Sequence, residues 1–161
     1  MKKTLVLVSI AAAALVAAGL AGARESGDSR LQAADRTDAV AMTTPILTLR
    51  STRFGRVLFD GRSRVLYGFT RDRRGGPSRC YGACAKAWPV FFGKGSVRAG
   101  KGVRKSLIGT TKRRDGRRQV TYNGWPLYFY AHEGPGEVKC QNVDQYGGLW
   151  LVVRSNGTLV R

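Results

Sequence analysis

Short apolar runs alternate with glycine-bearing turns over most of the chain, which is the pattern of β-hairpins. "RVLFDGRSRVLYGF" (residues 56–69) makes two apolar strands around Asp60-Gly61. "RRQVTYNGWPLYFY" (117–130) makes two more around Asn123-Gly124, and "LWLVVRSNGTLVR" (149–161) a third pair around Asn156-Gly157. Asp-Gly and Asn-Gly accept the positive φ angles that tight hairpin turns require. In "QVTY" the alternation puts Val120 and Tyr122 on one face of a strand. The alanines of "CAKAW" predict one short helix near residues 80–88, stopped by Pro89. Residues 95–102 and the basic run that follows read as a connecting loop. The links within the hairpins are too short for parallel crossovers. The fold class expected is therefore mainly β, a single domain of hairpins with one short helix.

The hairpin region begins only near Ile46. Lys2 and Lys3 precede an apolar run over residues 5–20, and Ala21-Gly22-Ala23 supplies the small residues of a cleavage site. This is the pattern of a secretory signal peptide over residues 1–23, cut after Ala23. The run is shorter than the roughly 20 residues a membrane helix needs. No cysteine follows it to carry a lipid anchor, and no other stretch could span a membrane. Residues 24–45 are polar, mixed in charge and nearly free of large apolar side chains, which predicts a disordered leader. The repeat-bearing β domain is expected over 46–161.

Within that domain the chain repeats itself. Tyr67, Phe69 and Asp72 are followed by Cys80 and Trp88; Tyr128, Tyr130 and Glu133 are followed by Cys140 and Trp150. The tyrosines are 61 apart, the cysteines 60 and the tryptophans 62. A shared offset among rare residue types implies two tandem copies, about 46–93 and 105–161, in which each half completes the core of the other around a pseudo-two-fold axis. The Tyr-x-aromatic-x-x-Asp signature, the Cys-x-Gly-x-Cys-x-x-x-Trp-Pro segment, "VTYNGWPLYFY" and "GGLWLVV" together resemble a bacterial secreted-repeat or predicted-lipoprotein family of unknown function. The resemblance implies secretion and a tandem repeat, and it carries no established chemistry. The chain departs from that family in three ways. It lacks the lipid-attachment cysteine that many members have, Glu133 replaces the second aspartate, and Cys140 stands where a small residue is expected.

Charge then narrows the choice of partners. The chain holds 28 basic and 10 acidic residues, a net +18, and 20 of the basic residues are arginine. Arginine pairs with phosphate and carboxylate in a planar, bidentate way, so anionic cell-envelope polymers are physically apt partners; the alternative is a solvated basic surface that reflects arginine-rich coding and no particular ligand. The basic residues cluster in two regions, with Arg71, Arg73 and Arg74 in one and Arg113, Arg114, Arg117 and Arg118 in the other as candidate contacts. No helix-turn-helix, zinc finger or RNA-recognition motif is present.

Candidate chemistry is sparse. Asp72 and Glu133 could meet across the repeat axis as an acid–base pair or as ligands of a hard cation. Alternatively the tyrosines fill the core, and each carboxylate accepts turn hydrogen bonds or pairs with Arg71, Arg73 or Arg74. In an oxidising compartment Cys80, Cys84 and Cys140 are disulfide candidates. One helical turn puts i and i+4 Cα atoms about 6 Å apart, within bridging range. Cys140 could instead capture either partner, and three cysteines leave one over. Reduced, Cys80 and Cys84 with His132 would make a chemically sensible copper(I) set, so copper is the alternative to having no cofactor. A nucleophilic cysteine would need His132, the single histidine, as its base, and no Gly-x-Ser-x-Gly is present. Trp88, Trp125 and Trp150 lie in apolar segments and are expected in the core. The expected function is a secreted, non-catalytic envelope module, with an extracytoplasmic copper-binding or redox protein as the alternative.

Overall fold

The computed structural model describes residues 46–93 and 96–161; the expected signal peptide and leader lie outside them. The described chain is mainly β. Its elements are β1 (Ile46–Thr52), β2 (Gly55–Asp60), β3 (Tyr67–Phe69), helix α1 (Ala83–Ala87), β4 (Arg98–Ala99), β5 (Ile108–Lys112), β6 (Arg118–Tyr122), β7 (Trp125–Pro126), β8 (Val143–Asp144) and β9 (Leu149–Val152). They form three three-stranded sheets, ordered β2-β1-β4, β3-β9-β8 and β5-β6-β7.

The two copies interlock. Tyr67 and Tyr128 exchange both backbone hydrogen bonds, at 2.9 and 3.0 Å, so the pseudo-two-fold axis passes between them. The end of each repeat then pairs inside the other. Val120 N–H donates to Phe91 C=O at 2.9 Å, and its counterpart Leu58 N–H donates to Val153 C=O at 2.8 Å. Likewise Val90 lies opposite Tyr128, and Val152 opposite Tyr67. Each half therefore carries backbone donors and acceptors that only the other half satisfies. Such groups are costly to bury unpaired, so the swap couples the folding of the two repeats.

Rings follow the same symmetry. Trp88 and Trp150 stack face to face on each other with centroids 3.9 Å apart. Phe69 stacks on Trp150 at 4.1 Å, and its counterpart Tyr130 leans on Trp88 at 4.9 Å. Tyr67 and Tyr128 abut Trp88 and Trp150 edge-on, at 5.3 and 5.2 Å. The four rings Phe69, Trp150, Trp88 and Tyr130 make one column through the axis. Both indole N–H groups end on one residue: Trp88 Nε1 donates to the Gln145 side-chain oxygen (3.0 Å) and Trp150 Nε1 to its backbone carbonyl (3.1 Å). A second apolar cluster, with Leu47, Leu58, Leu66, Val120, Tyr122 and Leu127 fully buried, lies under the hairpins.

Turn chemistry accounts for some expectations and corrects others. At Asn123-Gly124 both residues take positive φ (49° and 80°), and Tyr122 pairs with Trp125 across the turn, as that dipeptide predicts. Asp60-Gly61 works differently. Asp60 Oδ1 accepts the N–H groups of Arg62 (2.9 Å) and Arg64 (2.8 Å), and Ser63 takes the positive φ. The third pair closes around Gly157 (φ 81°) but is reduced to a single bridge, Val153 to Leu159. The expected loop contains two strands. β4 runs parallel to β1, and β5 pairs with β6 across a turn at 113–117 where Gly116 has φ 80°. Helix α1 begins at Ala83, so Cys80 precedes it. Trp125 is half-buried, whereas Trp88 and Trp150 are fully buried.

Removing a ring from the central column empties space that both repeats line. Trp150→Ala is expected to cost about 3–5 kcal/mol, read as a loss in urea-unfolding free energy.

Candidate functional site

The repeated signature supplies a connected set of buried polar groups. Strand β3 aims Tyr67 into the core, and the equivalent extended segment does the same for Tyr128; both are fully buried. A buried phenol needs a partner for its hydroxyl. Tyr128 Oη–H donates to Asp72 Oδ2 at 2.6 Å, and Tyr67 Oη–H donates to Glu133 Oε1 at 2.9 Å. The tyrosine of each repeat is thus held by the carboxylate of the other. Each carboxylate also accepts a backbone N–H from the segment beyond it, Asp72 from Arg79 (2.7 Å) and Glu133 from Lys139.

The two halves differ around this shared plan. Asp72 is buried, and its network continues inward. Tyr128 Oη also lies 2.7 Å from Ser78 Oγ, which accepts from the Arg113 guanidinium at 2.7 Å. Arg113 donates further to Gln119 Oε1 and to Cys80 C=O, both at 2.7 Å, and is only 4% exposed. Glu133 is half-buried, and Tyr67 Oη accepts the Cys140 N–H at 3.3 Å. Burial raises the pKa of Asp72, against the pull of Tyr128, Arg79 and Arg113. Burial likewise raises that of Glu133. Burial and the facing carboxylate push both phenols far above their ordinary range.

Asp72 and Glu133 are therefore tied to tyrosines and not hydrogen-bonded to each other, which corrects the acid–base pairing expected as one option. Crossing the axis satisfies two buried hydroxyls at once, which an acid–acid pair would leave without acceptors. The copper set is corrected as well. Cys80 and Cys84 are joined in a disulfide with Cα atoms 5.3 Å apart, so neither sulfur is a free thiolate. Gly82 between them takes a positive φ (56°) and the helix starts only at Ala83, so a full helical turn does not set their spacing. His132 is exposed, its ring edge-on to Tyr130 at 5.5 Å. Among the described residues, no group of three or more His, Cys, Asp or Glu side chains could hold a metal ion. Cys140 is free and buried, its thiol pKa raised by burial and then by Glu133.

The proposed arginine contacts divide. Arg113 is a correction: its guanidinium is internal and serves as a buried donor. Arg71 is exposed and donates to Tyr146 C=O at 3.0 Å. Arg74 donates to both oxygens of Asn123. Arg117 forms an ion pair with Asp115 at 2.6 Å, and Arg118 donates to Thr110 Oγ1 at 2.9 Å. Arg73 and Arg114 are exposed. Two shallow cavities, about 380 and 360 Å³, share Arg79 and Tyr81 and bring the two basic runs together. Ser78, Gln119 and Gln145 were not legible as site residues. Each is a single polar position in a turn or strand, and its role comes from what crosses over to meet it.

A family model described as a secreted repeat of unknown function matches residues 48–91 and 109–154, one match for each copy. No curated protein and no solved structure matches the chain.

Raised carboxyl pKa values have a definite consequence for stability. The folded protein keeps protons on Asp72 and Glu133 at pH values where the unfolded chain, titrating near about 4, has released them. Each group therefore contributes stability at low pH that is lost as pH rises through its folded pKa. Asp72→Asn is expected to flatten that decline when unfolding free energy is followed from about pH 4 to about pH 7. A second expectation concerns thiols. Alkylation of the native protein should label none, and alkylation after unfolding should label Cys140 alone.

Proposed function

The chain belongs to a family of secreted repeats of unknown function, and we propose that it acts as a non-catalytic envelope module that holds anionic polymers through its arginine-rich surface. The observation that carries this reading is a charge imbalance inside the folded repeats. Residues 46–161 contain 23 basic and six acidic side chains, a net +17. Only three ion pairs form among the described residues: Arg64–Asp60, Arg117–Asp115 and Lys139–Glu137. Asp72 and Glu133 are committed to tyrosines, so they offset little of the surface charge. A surface of this sign attracts polyanions over about a Debye length, roughly 10 Å at 0.1 M salt.

The non-catalytic part of the reading is supported by how the signature is used. Its hydroxyls and carboxylates bond to each other inside the core, and both phenols are held far from titration near neutral pH. In the same reading the apolar run before Ala23 exports the chain. No helix among the described residues is long and apolar enough to cross a membrane.

Labelled polyglutamate titrated into the purified protein tests the proposal by fluorescence anisotropy. Affinity should fall at least about tenfold between about 0.05 and about 0.5 M salt. Binding that ignores salt, or no binding at low salt, would overturn the electrostatic reading.

A further inference from the structure

The two cavities adjoin at Arg79 and Tyr81, which line both, and together they make one basic groove with an aromatic rim. One is lined by Arg71, Arg79, Tyr81 and Tyr146, the other by Arg79, Tyr81, Lys112, Arg113 and Arg114, and no carboxylate lines either. Arg71, Arg79, Lys112 and Arg114 are exposed. Arg113 lies beneath with only neutral acceptors on its guanidinium, and its Nε has no partner among the described residues. The groove is therefore positive from below as well as from its sides.

Its walls are held by the structural network. Arg113 and Arg114 sit over the Tyr81 ring at 4.3 and 4.7 Å, and the Arg114 N–H donates to Tyr81 Oη at 3.3 Å. The Arg79 backbone is tied to Asp72, and Cys84 of the disulfide lines the floor. The groove is thus tied to the buried network through Asp72 and to the disulfide through Cys84.

Tyr146 is out of place by local rules. It occupies the first central position of the tight turn joining β8 to β9, where the Gln145 N–H donates to Gly148 C=O at 3.1 Å. Tyr146 and Gly147 both take positive φ, 59° and 75°. The same geometry at 123–124 is filled by Asn-Gly, the pair it favours. A bulky aromatic at positive φ is strained, and strain of this kind clusters at ligand-binding and catalytic sites. Core packing does not account for it, since the residue is 42% exposed. The Arg71 hydrogen bond to Tyr146 C=O fixes the turn against the groove.

We propose that this groove binds an acidic polysaccharide, with one sugar ring against Tyr146 and ring-borne carboxylate or sulfate groups on Arg71, Arg79 and Arg114. An apolar ring face beside planar cations suits a chain that alternates sugar faces with anionic substituents. Single-stranded nucleic acid is the less suitable occupant, because it is gripped by several stacking platforms in series and Tyr146 is the one large exposed ring among the described residues. The inference rests on the polyanion-binding reading above and assigns it a site and a ligand class.

Calorimetric titration of the mature protein with a galacturonic acid oligosaccharide, its neutral methyl ester and oligo(dT) of equal charge tests it. The acidic sugar should bind, and the ester should not. Tyr146→Asn suits the turn and removes the ring. It should weaken binding about tenfold at unchanged or higher melting temperature, without altering the salt dependence. Arg79→Gln with Arg114→Gln should weaken binding and flatten the salt dependence, whereas Arg62→Gln with Arg98→Gln, outside the groove, should change affinity by less than about twofold. Should Tyr146→Asn fail to fold, the Arg79/Arg114 pair decides alone. Sugar binding that ignores the groove variants would sink the groove and leave the polyanion reading standing. Tighter binding of oligo(dT) would overturn the ligand class, and failure to bind any polyanion at low salt would overturn both readings.

Discussion

Two buried phenol hydroxyls join the halves of this protein. Tyr67 and Tyr128 lie side by side on the pseudo-two-fold axis, where their backbones pair directly and no solvent reaches them. A hydroxyl without an acceptor there would cost on the order of 1–3 kcal/mol. The acceptors come from across the axis, Asp72 for Tyr128 and Glu133 for Tyr67. Neither repeat can satisfy its own tyrosine in this arrangement. The strand swap at Val120–Phe91 and Leu58–Val153 imposes the same dependence on the backbone, and the Trp88–Trp150 stack imposes it on the core. Hydroxyls, backbone and rings all require both copies to be in place, so the tandem arrangement is a structural necessity and not a mere duplication.

Divergence between the copies breaks the symmetry beyond the shared signature. At the position where repeat 1 has the Cys80–Cys84 bridge and helix α1, repeat 2 has free Cys140 and the short β8 strand leading to Tyr146. The bridge closes a loop too small to stabilise the whole fold strongly. Its effect is local: it closes the loop that carries Tyr81, whose ring lies against the buried Arg113. In repeat 2 the equivalent stretch gives up its helix, supplies Gln145 to both indole N–H groups and presents Tyr146 outward. The exposed ring and the disulfide-held wall face one groove because the axis brings these non-identical segments together.

The surface charge is compatible with this core because the two are insulated from each other. Most arginines project from turns and strand edges, where water screens their mutual repulsion. The exception is Arg113, whose charge is buried among neutral acceptors and tied to Asp72 through Ser78 and Tyr128. Burying that charge without a direct counter-ion is costly, and three hydrogen bonds at 2.7 Å from its terminal nitrogens offset part of the cost while Nε stays unpaired. One network thus links the repeat signature, the disulfide segment and the basic groove.

Local chemistry in the sequence determined the hairpin at Asn123-Gly124, the shared burial of Val120 and Tyr122, the short helix before Pro89 and the tandem repeat with its offset of 60 to 62. These follow from φ preferences, alternation and rare-residue spacing, all of which act over a few residues or compare like with like. Strand β5 was hidden because "IGTTK" runs into a block of basic residues whose polarity masks its β-branched threonines. The burial of Arg113 was hidden for a related reason: nothing in "KRRDGRR" marks which cation turns inward. Which carboxylate meets which tyrosine was beyond the sequence altogether, since both acids stand at the same spacing from their own tyrosine. That choice belongs to the tertiary structure, because a buried hydroxyl takes the acceptor that packing brings within reach, and packing brought the one from the other repeat.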